Sequence, residues 1–155
     1  MHSEFTAFVA WPPRDRHRLM LAAHELGHVV AWQHAGFAVA EIKLHPGNVG
    51  GEVSLSKSSR TNLRTIEQRR GYLVGLLAGT EAGARWCELA GEFRGDHASG
   101  CAWDHRAFMR NQRHFGLTHI PKSEFRREAR AIIRAHWRQI FRLAPTLAHR
   151  GLIAV

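Results

Sequence analysis

The sequence predicts a mainly α-helical α+β domain, several helices with a small sheet packed beside the first of them. Three stretches, residues 14–35, 65–90 and 123–143, set apolar side chains at helical spacing. Between the first two, residues 38–56 alternate apolar and polar positions around a Pro-Gly turn, the pattern of two short strands. At 155 residues the chain is long enough for one core and too short for two, so 1–155 is read as a single domain.

In the first stretch, Leu19, Ala22, Ala23, Leu26, Val29 and Val30 make a wide apolar surface, so this helix is expected to be buried on much of its circumference. Gly36 suits the left-handed turn that ends it. In the second, Val39, Ile42 and Leu44 precede the Pro46-Gly47 turn, with Val53 and Leu55 after it. Residues 56–62 read as a polar loop. The third stretch carries Gly71, Gly75, Gly79 and Gly83 at a strict spacing of four, hence on one helix face. Each glycine costs ~1 kcal/mol against alanine in a helix, and close approach of another backbone is the expected return. A membrane-dimer face is the rival, but Arg70 and Glu81 bracket only ten residues, half of what a span needs. The last stretch turns Phe125, Ala129, Ile133, Trp137 and Ile140 inward and Arg126, Arg127, Arg130, Arg134 and Arg138 elsewhere, an amphipathic helix with an arginine face.

The formal charge of +9 is unevenly placed. Residues 105–150 hold eleven Lys or Arg against two acids, Glu124 and Glu128, and the remainder is balanced. Such a basic third is expected to be a solvated face or to meet an acidic partner, nucleic acid included. Two cysteines, Cys87 and Cys101, are too few to staple a secreted fold, and both are expected as buried or half-buried thiols. The first ten residues contain Glu4 and lack the basic-then-apolar order of a signal peptide, and no run approaches ~20 apolar residues. A cytoplasmic protein without a membrane segment is expected.

The chemistry concentrates in His24-Glu25-Leu26-Gly27-His28. Residues four apart stack on one helix face, so His24 and His28 can offer two imidazole nitrogens to one metal ion. Zinc suits such ligands in a tetrahedral site with one open position. Glu25 is rotated by about 100° from His24, so its carboxylate can reach a metal-bound water without being a ligand. The metal lowers the pKa of that water toward ~7, and Glu25 can take its proton and pass it to a leaving amine. A catalytic zinc needs a third protein ligand, and spacing alone leaves Asp96, His97, Asp104 and His105 open.

From about Leu21 onward the chain resembles the zinc peptidase domain of the FtsH-type ATP-dependent proteases, and more closely their small stand-alone relatives without the ATPase. Their Ala-rich H-E-x-G-H helix is matched by Ala22-Ala23-His24-Glu25-Leu26-Gly27-His28. The strand and turn that follow are similar to residues 36–51, and the L-A-G-x-x-A helix is similar to Leu77-Ala78-Gly79-Thr80-Glu81-Ala82. Ser99-Gly100-Cys101-Ala102-Trp103-Asp104 looks like the family's G-A-x-x-D segment, which implies that Asp104 is the third zinc ligand. The chain departs at Gly83-Ala84, where the family often carries an acid, and His105, next to the implied ligand, can substitute for it.

The resemblance implies a helical, zincin-like fold with a small sheet beside the metal helix. It implies a zinc metalloendopeptidase that cleaves unfolded or short peptides, with His24, His28 and Asp104 on Zn2+ and Glu25 as general base. The substrate would add as a strand at the sheet edge, near residues 44–55. No G-x-x-x-x-G-K-[ST] loop is present, so the chain would take substrates already unfolded or work with a separate ATPase. Two alternatives stand beside this. One is a repressor-cleaving metallopeptidase of the ImmA/IrrE-like type, whose acidic ligand follows the second His closely and for which Glu41 is the available residue. The other is a basic nucleic-acid-binding module with a structural, four-ligand zinc.

Overall fold

Helix α1 (Pro13–His34) is the hub around which the other elements are arranged. The computed structural model describes residues 13–48, 50–61, 63–91 and 101–154. After α1 come β1 (Val39–Leu44), a one-turn 3-10 helix (Pro46–Asn48), β2 (Gly51–Leu55) and the short α2 (Lys57–Thr61). The long α3 (Ile66–Ala90), α4 (Ala102–His114), α5 (Lys122–Ala135), α6 (Trp137–Arg150) and β3 (Leu152–Ala154) follow. The fold is α+β and mainly helical, as the periodicity predicts. Among the described residues, no helix is long and apolar enough to cross a membrane.

The wide apolar surface of α1 explains its position. Leu19, Ala22, Ala23 and Leu26 are all but inaccessible, because α3 and α6 flank the helix and the sheet covers another side. Gly36 ends the turn with φ 88°, a conformation that disfavours any side chain. Arg18 then ties three segments together, donating to the Ala148 carbonyl at 2.6 Å and the His45 carbonyl at 3.1 Å.

The two predicted strands form an antiparallel hairpin in which Ile42 faces Val53, with an irregularity between Val39 and Glu41. β3 pairs antiparallel with the other side of β1, giving the order β2-β1-β3. Residues 57–61 form a helical turn where a polar loop is expected. Its Ser59 hydroxyl, buried, accepts the Ala38 amide N–H at 2.7 Å and so anchors the start of β1.

Thr65 and Gln68 build a reciprocal cap at the start of α3: Thr65 Oγ1 accepts the Gln68 amide at 3.1 Å and Gln68 Oε1 the Thr65 amide at 2.9 Å. The glycine face of α3 lies flush against α1. A Cβ at Gly71 would stand 2.6 Å from that of Ala35, and at Gly75 and Gly79 it would overlap Trp32 and the two histidines. From the opposite side, Gly27 of α1 leaves room for Ala78 and Ala82. At Gly71, Gly75 and Gly79 the space is therefore taken by side chains of α1, namely Ala35, Trp32, His24 and His28, where another backbone is expected. A backbone comes that close at Gly27, where a Cβ would stand 2.6 Å from the Ala78 carbonyl oxygen.

The last predicted helix is two. The chain breaks at His136 (φ −105°, ψ 12°), and α6 runs on past Pro145 to Arg150. Phe125, Ala129 and Ile133 on α5 and Trp137, Ile140, Ala144 and Leu147 on α6 continue one apolar spacing across the break, which hides it from a periodicity reading. The arginine face is divided as well: Arg126 and Arg130 turn to Glu81 of α3, and Arg138 belongs to α6.

Candidate metal centre

His24 and His28 lie one turn apart on α1, both buried, with their rings edge to face at 4.8 Å between centroids. Their Nε2 atoms are 3.1 Å apart. Asp104, in the first turn of α4, brings Oδ2 to 2.8 Å from His24 Nε2 and 3.3 Å from His28 Nε2. Three donor atoms from two helices thus close a small triangle.

The surroundings aim those atoms. His28 Nδ1 lies 2.7 Å from the Gly75 carbonyl, which can only accept, so this nitrogen carries the hydrogen. In the neutral ring the lone pair is then left on Nε2, inside the triangle. Trp32 stacks on the outer face of His28 at 5.3 Å and 20°. Cys101 Sγ sits 4.0 Å from His24 Nδ1, on the side of the ring away from the triangle, and both cysteines are buried thiols outside any disulfide. Gly79 forms the floor, where any side chain would displace the two rings.

Glu25 is buried next to the pair. The first residue of β2 makes room for it: a Cβ on Gly51 would lie 3.0 Å from Glu25 Cγ. Burial pushes the Glu25 carboxyl above its ordinary range, against the opposing pull of His24 and His28. For His24, burial opposes the charge, but the Asp104 hydrogen bond, the Cys101 contact and the Glu25 charge win and push it up to about 10. His28 is likewise lifted despite burial, chiefly by the Asp104 carboxylate. Asp104 is held well below the usual carboxylate range, because the two histidines outweigh its own burial. The cluster therefore draws positive charge to its centre, as protons on the rings or as a cation in their stead.

The donor set fits a divalent ion of the zinc type. Two imidazoles and one carboxylate are a common three-ligand set for an open zinc site. Bonds of ~2.0–2.1 Å in a tetrahedron separate ligand atoms by roughly 3.3 Å, and the triangle has edges of 2.8, 3.1 and 3.3 Å. Among the described residues, His24, His28 and Asp104 form the group able to hold a metal, and a fourth His, Cys, Asp or Glu does not join it.

His105 is not part of the triangle. Lys122 Nζ donates to its Nδ1 at 2.6 Å, and burial together with that lysine lowers the His105 pKa. Glu41 is exposed on β1. Asp96, His97, Ser99 and Gly100 lie outside the described residues. Trp103, beside Asp104, is 70% exposed with the Arg106 guanidinium 5.7 Å from its ring centroid. Sequence reasoning missed the Gly75 carbonyl, a backbone group with no side-chain signal, and the place of Cys101 behind His24. The phase of the glycine ladder was the available clue to the first. A comparison with known proteins finds no matching family model and no matching curated protein.

Proposed function

We propose that this chain is a zinc-dependent endopeptidase of the FtsH-type zinc peptidase class, acting on unfolded or short peptides. One observation carries the reading: Asp104 Oδ2 meets both histidine Nε2 atoms, 2.8 Å from that of His24, 80 positions away in the chain, and 3.3 Å from that of His28. His24, His28 and Asp104 would hold the ion. Bound zinc supplies a Lewis acid that acidifies water and polarises the scissile carbonyl.

This chain's own residues supply the remainder. The Glu25 carboxylate takes a proton from the attacking water and delivers it to the departing amine, and its buried setting suits a group that must hold that proton briefly. The Gly75 carbonyl keeps the His28 ring oriented. β2, whose first residue touches Glu25, forms one edge of the sheet, and an extended peptide pairing there would pass beside the base.

Among the described residues the set has three donors, which supports this reading over a structural zinc with four protein ligands. The exposure of Glu41 supports it over the ImmA/IrrE-like arrangement. The test is cleavage of an unstructured fluorogenic peptide by the zinc-loaded chain. Cleavage that stops with a chelator and returns with zinc is expected, and cleavage indifferent to both would overturn the proposal.

A further inference from the structure

On the side of α3 that faces α5, a cavity of about 300 Å³ is lined by Thr80, Glu81, Arg85, Arg126, Arg130 and Arg134, with Glu88 and two apolar residues completing it. The buried Glu81 carboxylate forms a clamp: Oε1 accepts from Arg126 Nε and Oε2 from Arg130 Nε, both at 3.1 Å. This takes one N–H from each guanidinium. Among the described residues, the terminal nitrogens of both have no other hydrogen-bond partner, and the two side chains remain about half exposed, at 48% and 51%.

Two further polar side chains belong to the same wall. Arg85 Nε and Thr80 Oγ1 are buried atoms with no hydrogen-bond partner among the described residues. Arg85 is held in place by Trp137, with its guanidinium carbon 5.0 Å from the ring centroid. Buried polar atoms without partners are costly and rare in native proteins, and these two lie behind the cavity wall, so the half-exposed guanidinium ends of Arg126 and Arg130 are the donors a ligand in the cavity would meet. Among the described residues that line the cavity, the charge is also out of balance, because four guanidiniums face two carboxylates and leave two positive charges. A dianion restores neutrality. Guanidinium forks match tetrahedral oxyanions.

We propose that this cavity binds a phosphate dianion, as inorganic phosphate or as the head of a small phosphate monoester. The site is separate from the histidine cluster, and the proposal does not depend on peptidase activity. It is tested by calorimetric titration of the zinc-loaded chain with inorganic phosphate, phenyl phosphate and succinate at pH 8. Phosphate should bind at one site per chain, and Arg134→Gln should weaken it by at least about tenfold, the loss of one charge-assisted hydrogen bond. Arg134 is exposed on α5, so the variant keeps its fold. Arg138→Gln, exposed on α6 and outside the cavity, should leave binding unchanged. Equal binding of phenyl phosphate would identify a monoester ligand, and its exclusion the free ion. No heat with either phosphate at millimolar concentration overturns the proposal. So does equal weakening by both substitutions, or phosphate binding that Arg134→Gln does not alter. Succinate binding as tightly as phosphate overturns the tetrahedral class.

Discussion

Asp104 Oδ2 stands 2.8 Å from His24 Nε2, although 80 positions separate the two residues. Nothing local joins them. α1 carries the histidine, the first turn of α4 the acid, and α3 packs against both helices. The distance between the two residues is therefore a property of how closely α3 seats on α1, and the glycine face of α3 sets that closeness.

A side chain at Gly79 should spoil the site and the fold together. Gly79→Leu has to displace both histidine rings, and overpacking of this kind costs ~1–3 kcal/mol. A lower melting temperature and reduced zinc retention after dialysis are expected. An unchanged melting temperature would mean that the helices have room to separate there.

Glu25→Gln keeps the size and polarity of the side chain and removes its basicity. Loss of a general base reduces turnover by roughly 10²–10⁴-fold, with zinc per chain unchanged because Glu25 is outside the ligand triangle. Full peptidase activity in this variant would take Glu25 out of the mechanism.

The protonation of the cluster gives a pH signature to the metal-free chain. His24 is lifted from the ordinary 6.5 to about 10, and His28 is lifted with it. A raised histidine contributes its full stabilisation below its ordinary pKa and loses it as pH rises through the folded value. Asp104, held low, contributes above its ordinary 3.8 and loses this only in strong acid. With chelator present, the melting temperature should therefore fall as pH is raised from 6.5 toward about 10. Asp104→Asn should flatten that slope, and a slope identical in both proteins would contradict the assigned pairing.

Much of the architecture was legible because it rests on local chemistry. The first helix, the hairpin around Pro46-Gly47 and α3 follow from apolar spacing and turn residues, while the Thr65/Gln68 cap of α3 was not read from the sequence. β3 was not legible, since three residues are too few to show alternation and the strand exists only by pairing with β1. The break at His136 was hidden by an apolar spacing that runs through it unchanged. At the site, His24, Glu25 and His28 declare themselves by spacing on one helix. Asp104 does not: four residues were equal on spacing, and family resemblance alone chose among them. The structure brings Asp104 to the histidines and turns His105 to Lys122, a choice made by how α4 docks and not by any local pattern.

The central claim is that His24, His28 and Asp104 hold one zinc ion together, and zinc per chain after exhaustive dialysis tests it most directly. The wild-type chain and His105→Asn should each retain about one equivalent, because a three-ligand site is intact in both. Asp104→Asn should lose the metal, since a neutral amide oxygen is a poorer ligand than a carboxylate. Retention by Asp104→Asn, with loss in His105→Asn, would contradict the account and place the third ligand one residue along α4.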